Sequence, residues 1–251
     1  MISKNLIKHI NSLKLAKFRE KHNCFIAEGP KLVEEFLRSN FTVEKIICTQ
    51  DWHDQFTNII NDKIEINIAN ENDLKRISNL STPNKVLAII QKPESKLSLE
   101  SIDENLLLIL DDIRNPGNLG TIIRLADWYG LNNIYCSNET VDVYNPKVIQ
   151  SSMGSLCRVK INYIDLSELL SALKGKYKIF GSDMNAKNIY QEELPEKSAI
   201  IIGNEANGIS NEIFSLVDER ISIPTFRKGA ESLNASVATA ILVSEYFRNN
   251  F

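Results

Sequence analysis

Polar side chains that could do chemistry cluster in three loops of the second half of the chain. The first loop leads to Asn118 at the mouth of a predicted helix that also carries Arg124, the second carries Glu205, and the third leads to Ser232 and Asn234 at the start of the last predicted helix. An arginine can hold a phosphate, a carboxylate can accept a proton, and amide and hydroxyl groups can position a polar ligand. These residue types therefore allow a site that binds and orients a polar, phosphate-bearing substrate.

Plainer roles remain open for two of these residues. Arg124 lies off the apolar stripe of its predicted helix, beside Thr121, and could be a solvated arginine paired with Asp127 or Asp111. Ser232 could serve only as the N-cap of a helix that packs in the core. The residues alone do not decide between these roles and a functional site.

Familiar catalytic and metal-binding patterns are absent from the sequence. It contains no GxGxxG after a strand, no GxxxxGK[ST] and no HExxH. His9, His22 and His53 all lie in the first predicted domain, so a Ser-His-Asp triad cannot form within the second. The four cysteines are scattered and form no CxxC pair, so neither a zinc site nor a disulfide framework is indicated. The dinucleotide, hydrolase and metal interpretations all weaken.

Composition limits the partners and the compartment. The 251 residues are 43% hydrophobic with a net charge of −3, so any nucleic-acid contact has to come from a local basic patch. The most basic stretch, residues 1–22, predicts an amphipathic helix that is either solvated or in contact with phosphate. No apolar run is long enough for a membrane helix, and there is no apolar signal core. We therefore expect a soluble protein of the reducing cytoplasm with no membrane partner.

Apolar runs and their spacers predict two α/β domains. Residues 1–91 form a small α/β domain, residues 92–105 a polar linker containing Pro93, and residues 106–251 a mostly parallel sheet covered by helices. The predicted strands are 24–27, 43–48, 64–68, 86–90, 106–110, 133–136, 158–162, 177–181, 199–202 and 220–223. Ligands of such sheets lie at the carboxyl ends of the strands, which is where the three polar loops are.

The last predicted strand and helix lie within residues 221–247. These residues predict a strand ended by Pro224, a polar stretch over residues 225–231 with Gly229, and a helix from Leu233 onward. The helix is apolar nearly all round and rich in small residues, so we expect it to be buried against another element.

Together the three loops resemble the three motifs of the SpoU/TrmH family of RNA ribose 2'-O-methyltransferases, part of the SPOUT superfamily. The matching motifs are Asn115-Pro116-Gly117-Asn118-Leu119-Gly120 with Arg124, Gly203-Asn204-Glu205-Ala206-Asn207-Gly208, and Ile223-Pro224 followed by Ser232-Leu233-Asn234-Ala235-Ser236-Val237-Ala238. The segment Ser151-Ser152-Met153-Gly154-Ser155 is also similar to a small-residue segment of the family. The resemblance covers about residues 106–247. Residues 1–91 resemble, less sharply, the ribosomal-protein-like substrate-binding domain that often precedes it.

The resemblance implies a cofactor and a fold. It implies that S-adenosylmethionine binds in a cleft formed by a C-terminal deep trefoil knot, a rare exception to ordinary chain topology. The residues that would hold the cofactor, largely through backbone groups, are Ile202, Gly203, Ile223, Ser232 and Leu233. The resemblance also implies a homodimer through this knotted region.

The activity implied is transfer of a methyl group to a ribose 2'-hydroxyl of RNA. Arg124 would activate the hydroxyl, with Asn118, Glu205, Ser232 and Asn234 positioning the nucleotide or the arginine. Because free arginine has a pKa above about 12, Arg124 could equally hold a phosphate and stabilise the developing alkoxide. A separate substrate domain favours ribosomal RNA over transfer RNA. The alternative is a non-catalytic RNA-binding or ribosome-assembly factor on a methyltransferase fold.

Overall fold

The computed structural model describes residues 2–94, 98–227 and 232–250. By their contacts, these residues fall into two compact units. Residues up to Glu94 together with Asp142–Arg158 form the N-terminal unit, and the remaining described residues form the C-terminal unit. We call Asp142–Arg158 the inserted segment. The sequence-based division assigns this segment to the second domain, whereas its contacts lie in the N-terminal unit, and the predicted domain limits stay a prediction.

The elements follow one another as alternating strands and helices. The strands are Cys24–Glu28 (β1), Val43–Cys48 (β2), Glu65–Ile68 (β3), Val86–Gln91 (β4), Leu106–Leu110 (β5), Asn133–Cys136 (β6), Lys160–Tyr163 (β7), Lys178–Asn188 (β8), Ser198–Ile202 (β9) and Glu219–Ser222 (β10). The α-helices are Lys4–Ser12 (α1), Ala16–His22 (α2), Pro30–Leu37 (α3), Gln50–Phe56 (α4), Glu71–Ile77 (α5), Pro116–Trp128 (α6), Pro146–Ser152 (α7), Leu166–Leu173 (α8), Asn211–Phe214 (α9) and Ala235–Asn249 (α10). Short 3₁₀ turns lie at Thr57–Ile59, Leu99–Ser101, Ser155–Cys157 and Ile189–Gln191.

Side-chain caps set where several helices begin. The side chains of Thr49, Asn70 and Asp165 each accept a backbone N–H from the first turn of the helix that follows. α3 instead begins with Pro30 after Gly29, whose φ of 110° is one that a residue with a side chain rarely adopts. No helix in the described ranges is long and apolar enough to cross a membrane.

The sheet of the N-terminal unit has the order β1-β4-β2-β3. β4 runs antiparallel to β1 and β2, and β3 is parallel to β2. One face packs on α1 and α5 through an apolar cluster that includes Ile10, Ile47 and Ile77. Phe25 and Phe36 meet edge to face, with ring centroids 5.5 Å apart. Both side chains are fully buried, so they form part of the unit's core.

The inserted segment is held in the N-terminal unit by charge and by aromatic packing. Nε and Nη2 of Arg19 donate to Oδ2 of Asp142 at 2.9 and 2.6 Å, and the arginine side chain is only 3% exposed. The ring of Tyr144 lies 4.7 Å from that of Phe25 on β1. α7 packs on the same strand. Residues far apart in the chain thus share one core.

Within the described residues, the sheet of the C-terminal unit has six strands in the order β10-β8-β9-β5-β6-β7, all parallel. β5 and β9 lie at its centre and are buried along their whole length. Such strands read as continuous apolar runs because both of their faces are covered. The prediction of a mostly parallel α/β sheet preceded by a small α/β unit is confirmed, and the trefoil knot stays a prediction.

Several element limits differ from those predicted. Strand β8 extends to Asn188. Its pairing with β10 is interrupted after Gly181 by a shift in register and resumes at Lys187. Part of the predicted linker packs as well, since Leu99 and Ile102 lie against the core of the C-terminal unit. Gly229 and the rest of residues 228–231, predicted as a polar loop, lie outside the described residues.

The N-terminal helix differs from prediction, and the last helix is exposed on one side. The predicted helix over residues 1–22 is broken into α1 and α2, and the Arg19 Nη1 group donates to the carbonyls of Leu13 and Lys14 at the break. α10 is buried on one side only, because Val237 remains 46% exposed while Leu242 and Val243 are buried. The expectation that this helix is buried against another element agrees with its packing on α6 and β9.

Candidate active site

The candidate site lies where the strand order of the parallel sheet reverses. From β5 the sheet continues through β6 and β7 on one side, whereas β9 and β8 lie on the other. The loops after β5 and β9 lie side by side at the carboxyl edge, which is where α/β sheets bind ligands. The backbone N–H of Asp111 donates to the carbonyl of Ile202 at 2.8 Å, which fixes the two strand ends side by side.

The first motif forms the start of α6. Oδ1 of Asn115 accepts the backbone N–H groups of Gly117 and Asn118 at 2.8 and 3.4 Å. Pro116 occupies the first turn, where a helix does not use the missing N–H. This cap places Asn118 at the helix mouth with only 7% of its surface exposed. A buried amide needs hydrogen-bond partners for both its donor and its acceptor.

The second motif folds into a closed loop after β9. Asn204 and Gly208 exchange two backbone hydrogen bonds, each 2.9 Å long. A Cβ atom on Gly203 would overlap the backbone of Gly208 and Ile209, so glycine is required for this closure. The closed loop presents Glu205 to solvent at the edge of the sheet.

The third motif begins α10. Oδ1 of Asn234 accepts the backbone N–H of Ser236 at 3.0 Å and its hydroxyl at 2.7 Å. Asn234 is therefore the helix N-cap, and the plainer reading in which Ser232 is the cap is wrong. Capping occupies the oxygen of the Asn234 side chain and leaves its NH₂ group to donate elsewhere.

Asn118 joins the three motifs. Its Nδ2 donates to Oε1 of Glu205 at 2.7 Å, and its Oδ1 accepts from Nδ2 of Asn234 at 2.9 Å. The partners are 87 and 116 residues away in the chain. The structure thus brings together three of the predicted catalytic residues in one chain of hydrogen bonds, and their catalytic roles stay a prediction.

Arg124 and Ser232 do not take part in these hydrogen bonds. Arg124 is exposed on α6, and no hydrogen bond or ion pair joins its guanidinium to another described residue. It lies six residues after Asn118, so its side chain points roughly 120° away around the helix. Asp111, considered above as its partner, instead accepts the backbone N–H of Ser210 at 2.8 Å. Ser232 is exposed.

Sequence reasoning missed the residues that build the loop after β5. Asp111 is buried, and Asp112 has a φ of 57°, in the left-handed region. Nδ2 of Asn204 donates to the backbone carbonyl of Asp112 at 2.8 Å and so ties the first loop to the second. Two carboxylates directly after a buried strand were a signal in the sequence that could have identified them.

The residues predicted to hold the cofactor lie along the same edge of the sheet. Ile202 and Gly203 are buried at the end of β9, and Ile223 is half-buried one residue beyond β10. Leu233 is 49% exposed, and Ser232 is also exposed. The set offers apolar surface and backbone groups and contains no charged side chain. It therefore fits the adenosyl part of an adenosyl sulfonium better than a phosphate-rich ligand. Within the described part of the chain, no group of three or more His, Cys, Asp and Glu is arranged to hold a metal ion.

Two family models match the two halves of the chain. The model of the SpoU rRNA Methylase family matches residues 105–244, and that of the MRM3-like substrate binding domain matches residues 4–88. The chain is 32% identical over 240 residues to the 23S rRNA (guanosine(2553)-2'-O)-methyltransferase RlmP of Bacillus subtilis, with 94% of each chain covered.

Solved structures share the whole fold. A TrmH-family protein from Porphyromonas gingivalis is 33% identical, with a TM-score of 0.88 and 98% of each chain covered. The SpoU methyltransferase AviRb from Streptomyces viridochromogenes, determined with AdoMet, has a TM-score of 0.87 at 22% identity, covers 99% of this chain and 98% of its own, and shows the fold alone. Because the family model spans more than half of the chain and RlmP matches nearly all of it, the chain belongs to the SpoU rRNA methylase family.

Proposed function

We propose that this chain is an S-adenosylmethionine-dependent methyltransferase that methylates a ribose 2'-hydroxyl of ribosomal RNA. The observation that carries the proposal is the meeting of the three motifs at Asn118, which binds Glu205 and Asn234 at the carboxyl edge of the sheet. Support comes from RlmP, which is named for this reaction on 23S rRNA, and from AviRb, whose structure contains AdoMet. The predicted preference for ribosomal over transfer RNA is part of the proposal.

The residues of the site can orient a ribose hydroxyl. When bound, S-adenosylmethionine supplies an activated methyl group. The protein has to align the hydroxyl and assist the loss of its proton. Asn118 holds one carboxylate oxygen of Glu205, and the second oxygen has no partner among the described residues, so it can accept a hydrogen bond from the nucleotide. Asn234 fixes the orientation of the Asn118 amide from the other side.

Two roles for Arg124 follow from its exposure. Its guanidinium can reach a bound nucleotide because no described residue holds it. It can then bind the phosphate and stabilise the alkoxide, or it can act as the base that takes the hydroxyl proton. Arg124→Lys separates the two roles. A stabilising charge is largely retained by lysine at neutral pH, whereas a base would give a rate that rises with pH up to the lysine pKa.

A homodimer through α6 and α10 completes the proposal. A groove of about 590 Å³ between these helices is lined by Thr121, Leu125, Tyr129, Tyr190, Ser236, Val237, Ala240, Ile241, Ser244 and Glu245. Trp128 is 85% exposed, and Val237 and Leu233 are each nearly half exposed. Large apolar side chains exposed on neighbouring helices are typical of protein interfaces. We expect sedimentation to give a dimer and Val237→Glu to give a monomer.

The trefoil knot and the cytoplasmic location also remain parts of the proposal. The helices and strands on either side of residues 228–231 are those that the family resemblance assigns to the knot. Cys24, Cys48 and Cys136 are buried free thiols, as expected for a protein of a reducing compartment.

Methyl transfer to ribosomal RNA tests the proposed function. The purified protein and labelled S-adenosylmethionine are incubated with ribosomal RNA and, separately, with transfer RNA from a strain that lacks the gene, and 2'-O-methyl positions are mapped. We expect one new methylated ribose. Transfer to no ribosomal or transfer RNA would overturn the proposal. Calorimetry with S-adenosylmethionine then separates the alternative, because a non-catalytic RNA-binding factor is expected to bind no cofactor.

A further inference from the structure

Asp112 has an unusual backbone conformation directly after β5. It is one of three described non-glycine residues with positive φ, together with Asn23 and Met153. Asn23 and Met153 are the C-caps of α2 and α7, where the left-handed conformation is common. Asp112 caps no helix, and strain of this kind is retained where the surroundings fix a residue, most often at functional sites.

Neighbouring loops hold Asp112 on several sides. Its backbone N–H donates to Oγ of Ser137 at 3.0 Å. Nδ2 of Asn204 donates to its carbonyl at 2.8 Å and to its Oδ2 at 3.2 Å. Both the backbone and one carboxylate oxygen are therefore fixed, and the side chain is only 19% exposed. The other oxygen, Oδ1, is left to bind a further group.

That group is Arg114. Its Nε donates to Oδ1 of Asp112 at 2.8 Å, and the arginine side chain is 69% exposed. The two terminal NH₂ groups of Arg114 have no hydrogen-bond partner among the described residues. Asp112 thus orients the guanidinium through Nε and leaves the terminal fork pointing away, and this fork matches two oxygens of a phosphate.

Arg114 lies in the loop between β5 and α6, which leads to Asn118 at the candidate site. The hydrogen bond and charge of Asp112 raise the pKa of Arg114, and the charges of Glu139 and Glu205 raise it further. Glu205 is the carboxylate that Asn118 binds. Since the carboxylates at this edge would repel RNA phosphates, a fixed cation beside them is needed for close approach.

We infer that Arg114, oriented by Asp112, binds a backbone phosphate of the RNA beside the ribose that is methylated. The inference rests on the proposed function and names a contact to its substrate. It differs from the role of Arg124, because Arg114 holds the RNA strand and takes no part in the reaction at the hydroxyl. The plainer reading is a surface ion pair with no ligand, which contributes little to stability.

RNA binding at several salt concentrations tests the inference. Filter binding with unmodified 23S ribosomal RNA transcribed in vitro is measured for the wild type, Arg114→Ala and Arg114→Lys. Lys178→Ala is the matched control, because Lys178 also pairs with a carboxylate, Glu219, but lies at the amino end of β8, the opposite edge of the sheet. Calorimetry with S-adenosylmethionine checks that each variant keeps its fold and cofactor site.

We expect Arg114→Ala to weaken RNA binding about tenfold and to lower the slope of log Kd against log salt by about one phosphate contact. Arg114→Lys should restore the slope and part of the affinity, since it keeps the charge but loses the fork. Lys178→Ala should change binding less than about twofold. At saturating RNA, kcat of Arg114→Ala should stay within a few-fold of the wild type.

Three results would overturn the inference. They are an unchanged Kd and salt slope in Arg114→Ala, an equal loss in Lys178→Ala, or a large fall in kcat with unchanged RNA affinity. The proposed function fails in a different way, because then the wild type transfers no methyl group although its RNA binding can still be compared with that of Arg114→Ala.

Discussion

Two regions of this protein join residues that are far apart in the chain, and they use different chemistry. At the candidate active site, the Asn118 amide binds the exposed side chains of Glu205 and Asn234. In the N-terminal unit, the buried guanidinium of Arg19 binds Asp142, 123 residues away. Hydrogen bonds near water contribute little net stability, whereas breaking a buried ion pair is strongly destabilising. We infer that the first region is built for chemistry and the second for stability.

The largest expected effect is on the rate. Arg124→Ala should lower kcat by on the order of 10³-fold while leaving the affinity for S-adenosylmethionine nearly unchanged. Stability should also be unchanged, because alanine suits an exposed helix position and no described partner is lost. Methyl transfer at saturating RNA and cofactor, together with calorimetry, measures both. A large loss of cofactor affinity would show that Arg124 has a different role.

A smaller loss of rate should follow from Asn118→Asp. The new carboxylate would replace the amide donor and face Glu205, so the like charges repel and the positioning bond is lost. We expect kcat at neutral pH to fall about 10²-fold. The two carboxyls can share one proton, which raises the pKa of the pair, so activity should recover partly as the pH is lowered.

Asn115→Asp is the matched control for this variant. The Asn115 side chain only accepts hydrogen bonds at its cap, and aspartate caps a helix equally well. We expect its pH–rate profile to follow the wild type. Equal losses in the two variants would show that charge at the helix start, rather than the bond to Glu205, is responsible.

In the N-terminal unit the effect should be on stability. Arg19→Met removes a buried guanidinium that also donates to two backbone carbonyls, and we expect the free energy of unfolding to fall by about 2–3 kcal/mol. Arg38→Met is the control, because Arg38 is 60% exposed and pairs with Glu34 at i,i+4, which is worth less than about 0.5 kcal/mol. Urea unfolding measures both. If Arg19→Met lowered kcat per folded molecule instead, the comparison between the two regions would fail.

The smallest effect concerns alkaline pH. Burial and the charge of Asp142 raise the pKa of Tyr144 to about 12, above the value of about 10 expected in the unfolded chain. Between these values the folded protein keeps a proton that the unfolded chain has lost, so stability falls as the pH rises. Tyr144→Phe should make this fall shallower between pH 10 and 12 and change stability little at pH 7. Parallel curves for the two proteins would contradict the assignment.

Much of the fold could be predicted because its signals are local. Strand β5 is a continuous apolar run, and β4 and β9 are nearly so, since buried strands have no polar face. The break between α1 and α2 was not predictable, because the freed carbonyls of Leu13 and Lys14 are satisfied by a side chain whose own position depends on Asp142. The extension of β8 beyond Gly181 was not predicted, because its residues from Ser182 onward are mostly polar and resemble a loop.

The sequence predicted which residues belong to the candidate site, but not which of them bind one another. Asn118, Glu205 and Asn234 could be recognised from their motifs, but no local rule says that one amide binds both of the others. Nothing in the sequence marks Asp112 as left-handed, because that conformation depends on Ser137 and Asn204 in neighbouring loops.

The sequence by itself determined the family, the order of the elements and the residues of the three motifs, because periodicity and motif spacing are properties of short stretches. Only the tertiary structure decided that Asn118 is the meeting point of the motifs, that Asp142–Arg158 packs in the N-terminal unit, and that Arg114 pairs with Asp112. The physical reason is that hydrogen bonds and ion pairs between distant residues depend on how the strands align, which no single stretch specifies.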